Sequence, residues 1–146
     1  MQNYNKWVAR SAYYDLIITT PFAIPGVASW VISLFASFHQ TLGFQGEFPA
    51  FQIQHLLFAH LLGSVVIVWS LLRIKHTSPL LGLYDGFARV LFSVFYIYAI
   101  TLGASPLILL FLIPELFFAV VQNVGYYQLK KQAGQKVMNK GATIRT

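Results

Sequence analysis

Asp85 and Arg89 stand four residues apart in the stretch SPLLGLYDGFARVLFSVFYIYAITLG, residues 78–103, and Arg89 is the one Lys or Arg that falls inside an apolar span. A charge in lipid costs roughly 2.5–3.5 kcal/mol on insertion scales, so it turns towards a protein interior and finds a partner there. An Asp one helical turn before an Arg is the favourable order for a helix pair. Asp15 sits near the same end of an earlier apolar stretch. Asp15, Asp85 and Arg89 are therefore read as one buried ionic cluster, because an arginine offers five donors and can hold two carboxylates. Two acids against one base leave a formal charge of −1. A proton on one acid, or a donor from Tyr14, Thr19 or Gln122, completes the cluster.

A second constellation joins His60, Glu115 and Gln122. His60 falls about eight residues into its span and Glu115 about nine into its own, so their depths agree within roughly one turn at 1.5 Å rise per residue. Glu115, Ala119, Gln122 and Tyr126 follow one another at helical spacing on one face. A Glu–His pair can share a proton, as in proton relays. The plainer reading is a structural hydrogen bond between helices. Both remain open, and His60, Glu115 and Gln122 stand as a ligand or proton site.

His39 and His55 lie at the opposite boundary, with Glu47 between them. Imidazole and carboxylate are common metal ligands, and two histidines can also hold a b-type haem. Haem needs both at one depth on facing helices, which His39 and His55 meet only at the edge. Ordinary interfacial histidines are the favoured reading, with His39, Glu47 and His55 kept as the metal candidates. His76 lies in a basic connection and is read as solvated. There is no GxSxG, HExxH, P-loop or dinucleotide-binding pattern. The chain has no cysteine, which removes disulfides, thiolate metal sites and CxxC redox chemistry. An enzyme of soluble type has no support.

The elements that must position these groups are membrane spans. The chain has 146 residues, of which 57% are hydrophobic and 10% charged. Soluble domains carry about 25% charged residues, so there is too little polar surface here to cover a globule in water. About 20 apolar residues cross a bilayer, and the pattern predicts an all-α, integral membrane four-helix bundle with spans at about 11–38, 52–72, 79–103 and 106–127. A basic N-terminus, 1–10, precedes them, and a basic, loosely ordered tail, 128–146, follows. The first apolar stretch is long and interrupted by prolines, unlike a cleavable signal.

Pro21 and Pro25-Gly26 predict a kink in the first span, with Thr19 and Thr20 placed to satisfy freed carbonyls. Asp15, Thr19, Ala23, Gly26, Ser29, Ser33 and Ser37 give that span one small or polar face, suited to close helix packing. Ser78-Pro79 and Ser105-Pro106 read as helix caps followed by proline at the first helical position. Pro114 predicts a kink in the fourth span.

Four spans put both termini on one side. Lys6, Arg10, Arg73, Lys75, Lys130, Lys131, Lys136, Lys140 and Arg145 fall on that side, and the two opposite loops carry no Lys or Arg. The positive-inside rule then places both termini in the cytoplasm. Trp7, Tyr13, Tyr14, Trp69, Tyr84, Tyr126 and Tyr127 form an aromatic belt near the same boundary. The net charge of +6 is thus a topology signal that also attracts anionic lipid, and nucleic acid is not an expected partner.

The length, the number of spans, the short turn GASP, the polar face of the first span and the buried charge Asp85/Arg89 together resemble the DoxX-like group of small four-helix bacterial membrane proteins. That resemblance implies a bacterial inner-membrane subunit beside a quinone-linked redox complex. From the residues alone, the expected function is a non-catalytic subunit or a binder of a lipophilic ligand, a quinone or a lipid, held by a few convergent polar groups. Two alternatives stand beside it: a small proton-coupled carrier or channel acting as a dimer, and an assembly or accessory subunit of a larger membrane complex.

Overall fold

The structure is a computed structural model that describes residues 2–46, 48 and 50–143, with side chains placed as far as Gln135. Glu47, Pro49 and Arg145 lie outside the described residues, as do the side chains of Lys136 and Lys140. The described chain is all-helical. Helix α1 spans Gln2–Ala23, α2 Val27–Thr41, α3 Ile53–Lys75 and α4 Pro79–Thr101, and a 3-10 turn at Pro106–Ile108 leads into α5, Leu109–Thr143. Helices α3, α4 and α5 are each long and apolar enough to cross a membrane, and α1 with α2 passes the same test only as a bent pair.

The expected first span, 11–38, is two helices rather than one kinked rod. The chain turns by 101° between α1 and α2. Pro25 has no N–H to continue the ladder and clashes with the preceding turn. Gly26 then takes φ +82°, a left-handed conformation that costs a glycine little. Thr20 Oγ1 donates to the Leu16 carbonyl at 2.5 Å and Thr19 donates to the Asp15 carbonyl. Neither hydroxyl reaches the Ile17 carbonyl, the one that Pro21 leaves without its partner.

The caps are local. Ser78 Oγ accepts from Leu81 N at 3.3 Å and Ser105 Oγ accepts from Leu107 N at 3.3 Å, each followed by proline. Gln52 and His55 form a capping box at the start of α3. Helix α5 runs unbroken through Pro114 and continues to Thr143, so the segment expected as a loose tail after Tyr127 is helical over most of its length. Lys130 and Lys131 sit on exposed turns of that helix.

Helix α1 packs antiparallel on α3, and α4 packs on α5. Small residues set both approaches. A Cβ at Gly63 would lie 2.9 Å from the Ala23 backbone nitrogen, and one at Gly86 would lie 2.7 Å from Asn123 Nδ2; where α1 meets α5, one at Gly125 would lie 2.6 Å from Tyr4 Cδ2. Tyr4 lies between Gly82 and Gly125 and donates its hydroxyl to the Gln122 carbonyl at 2.9 Å. The start of α1 therefore lies against the middle of α5, at what is here called the basic end. Helices α3 and α4 are consecutive, yet they do not pack along one another.

The surface is largely apolar, and the largest fully buried side chains are mostly polar. Ile53, Ile17 and Leu102 are 70–82% exposed, whereas Ser11, Ser70, Arg73, Arg89 and Gln122 are 0–2% exposed. An extensive exposed apolar surface marks contact with lipid or partners, while Arg73, Asp85 and Arg89 are buried.

Candidate functional site

Four helices each contribute polar side chains at spacings of three, four or seven, with Trp69 and Ser70 adjacent, so each set lies towards one side of its helix. Helix α1 supplies Ser11 and Asp15, α3 supplies Trp69, Ser70 and Arg73, α4 supplies Asp85 and Arg89, and α5 supplies Glu115 and Gln122. Arg89 is at the centre. Its Nε donates to Asp85 Oδ2 at 3.0 Å, Nη1 to Glu115 Oε2 at 2.9 Å and Nη2 to Asp15 Oδ2 at 2.6 Å. Arg73 makes a second fork, with Nη1 2.5 Å from Asp85 Oδ2 and Nη2 2.5 Å from Asp15 Oδ2. Trp69 Nε1 donates to Asp85 Oδ1 at 3.0 Å, and Gln122 Nε2 donates to Asp85 Oδ2 at 2.8 Å and to Ser11 Oγ at 2.7 Å. The Arg89 guanidinium also lies 5.0 Å from the Phe118 ring centre, a cation–π arrangement.

Asp15, Asp85 and Arg89 thus come together as expected, but the network is larger. Arg73, counted from the sequence among the bases on the cytoplasmic side, is fully buried. Helix α3 runs past Leu72 to Lys75, which puts Arg73 on the same face as Trp69 and Ser70, turned inward. The signal in the sequence was this i, i+3, i+4 pattern, together with the one base for two acids. Gln122 belongs to this network, as the donor sought for it; Thr19 donates elsewhere.

Glu115 and His60 do not pair. Glu115 is held by Arg89, whose long side chain spans the distance between α4 and α5. His60 Nδ1 lies 2.8 Å from the Phe22 carbonyl oxygen. That carbonyl belongs to the last turn of α1, where four C=O groups have no partner within the helix. A carbonyl only accepts, so Nδ1 carries the proton in this contact. The proline-induced end of α1 thus takes His60 as its cap, which depth counting on a straight span does not anticipate.

His39 and His55 also have local partners. His39 Nδ1 lies 2.8 Å from Ser105 Oγ, with its ring near Phe44 and Phe48. His55 Nδ1 accepts from the Gln52 backbone N–H at 3.1 Å. Among the described residues no group of three or more His, Asp or Glu is placed to hold a metal ion, and Glu47 is not among them.

A cavity of about 840 Å³ lies between the ionic network and the loop between α2 and α3. Because α2 leaves the line of α1, this half of the interior is walled by Ile32 and Phe35 of α2 instead of being filled by a straight helix. Phe92 and Phe95 of α4 face it across the interior from Leu62 and Val66 of α3. Asp15, Asp85, Arg89 and Glu115 form its floor, with the Tyr14 and Tyr96 side chains beside them. Leu62 and Phe95 are also 57% and 62% exposed to the outside, so the gap between α3 and α4 leads from the apolar surface to the cavity.

The chain matches no protein-family model, no curated protein and no solved structure.

Proposed function

We propose that this chain is a small, non-catalytic integral membrane protein that binds a lipophilic ligand, a quinone or a lipid, inside its helical bundle. One observation carries the reading: an apolar cavity of about 840 Å³ ends on a buried network of carboxylates and guanidiniums. Small-molecule sites occupy about 300–1,000 Å³ and combine apolar walls with a few convergent polar groups. The gap between α3 and α4 supplies a route from the bilayer, so the ligand need not pass through water. The four-span bundle has both termini in the cytoplasm, with Lys6, Arg10, Lys75, Lys130 and Lys131 on that side, in a bacterial inner membrane. A DoxX-like place beside a quinone-linked redox complex is consistent with this site.

A proton carrier needs polar groups linked from one side to the other. Here the hydrogen-bonded chain ends at Glu115, and His60 is engaged by Phe22, which favours binding over conduction. The test is purification in mild detergent followed by native mass spectrometry and an absorption spectrum. A lipophile bound at one per chain, and lost when Ala88→Trp fills the cavity floor, is the expected result. A bare wild-type chain, or a ligand equally retained by Ala88→Trp, refutes it.

A further inference from the structure

The polarity of the cavity floor defines the head of the ligand. Three carboxylates, Asp15, Asp85 and Glu115, meet two guanidiniums, Arg73 and Arg89, which leaves a formal charge of −1. The two signs are not equally placed. Arg73 and Arg89 side chains are 0% and 2% exposed, whereas Asp15 and Glu115 are 12% and 13% exposed and line the cavity. All three nitrogens of Arg89 are directed at carboxylates of the network, and both terminal nitrogens of Arg73 likewise. Each of these two part-buried acids uses one oxygen for arginine: Asp15 through Oδ2 and Glu115 through Oε2. Asp15 Oδ1 and Glu115 Oε1 have no hydrogen-bond partner among the described residues. The floor therefore offers acceptor oxygens with surplus negative charge, while the nitrogens of its cations are already taken by carboxylates.

We propose that the cavity binds a single-chain amphiphile with a primary ammonium head, the ammonium donating to Asp15 Oδ1 and Glu115 Oε1 and the alkyl chain lying along the phenylalanine walls. The proposal rests on the lipophile-binding reading above and narrows it. A fatty acid would add a further negative charge to a buried negative site. A phospholipid headgroup would bring its phosphate next to the same carboxylates. A quinone carbonyl only accepts, and the donors left for it are the Tyr14 and Tyr96 hydroxyls. An ammonium has three donors and neutralises the surplus charge. Hydrogen bonds between charged groups are roughly twice as strong as neutral ones, so an amine should bind about tenfold more tightly than the alcohol of equal chain length, a factor of ten being about 1.4 kcal/mol.

The experiment compares dodecylamine, dodecanol and dodecanoate on the full chain in neutral detergent, by isothermal titration, with Ala88→Trp as the cavity-filled control for partition into micelles. Should that variant fail to fold, Ala59→Leu on the opposite wall replaces it. The expected order is amine, then alcohol, then carboxylate, and Glu115→Gln should lower the amine-to-alcohol affinity ratio about tenfold. Alcohol or carboxylate binding as tightly as the amine overturns the ammonium proposal and leaves lipophile binding intact. So does an unchanged ratio in Glu115→Gln. No saturable binding of any of the three above that of the cavity-filled variant overturns both.

Discussion

Replacing Arg73 by Ala separates an interior arginine from an interfacial one. As one of the bases at the cytoplasmic boundary it would anchor the end of α3 at the membrane surface, and its loss would change stability within about 0.5 kcal/mol. In the structure it is fully buried and holds Asp15 and Asp85, each at 2.5 Å. Removing one partner of a buried ion pair costs about 3–5 kcal/mol, because the remaining charge is left without its compensation. Both acids keep Arg89, which brings the expected loss to the lower end of that range. Arg73 Nε is itself buried without a hydrogen-bond partner, so its removal also relieves a cost of about 1 kcal/mol or more. The net expectation is a loss of about 2–3 kcal/mol, measured by reversible unfolding in mixed micelles. Lys75→Ala, two residues further on and exposed, should stay within about 0.5 kcal/mol. Asp15→Asn should recover part of the loss in the Arg73→Ala background, since coupled neighbours are non-additive by about 0.5–3 kcal/mol. Equal, small effects for Arg73→Ala and Lys75→Ala would refute the buried network at this position.

Gly125→Ala should cost about 1–3 kcal/mol through overpacking against Tyr4, whose Cδ2 would be 2.6 Å from the new Cβ, and most of that cost should vanish in a Tyr4→Ala background, read in the same unfolding assay. His60→Ala should cost about 1–3 kcal/mol by leaving the Phe22 carbonyl without its donor, while His60→Gln should retain much of that stability; equal losses would mean that the contact at 2.8 Å contributes nothing. The chain has no cysteine, so single cysteines report topology without background. Lys6→Cys in oriented membranes should react with a membrane-impermeant maleimide only from the cytoplasmic side and Gln45→Cys only from the opposite one.

Patterns that depend on neighbours in the chain were legible without the fold. Composition and run length specified apolar helices of spanning length, because the bilayer fixes how many apolar residues a span needs. Ser78-Pro79 and Ser105-Pro106 marked helix starts because capping uses atoms within three residues. The i, i+4 spacing of Asp85 and Arg89 announced a buried pair, and Asp15 could be added from depth. What failed in each case depended on direction. Pro21 and Pro25-Gly26 signalled a disturbance, but a kink and a bend of 101° share the same residues, and the choice depends on what α2 packs against. That bend decided the rest. It ended α1 where His60 could cap it, freed Glu115 for Arg89, and left an apolar cavity above the network. Arg73 was assigned to the surface because a base at a span boundary usually stays in water; only the arrangement of four helices shows two carboxylates within its reach. Helix type follows from local chemistry, whereas partner choice among long charged side chains is set by where distant backbones stop and turn.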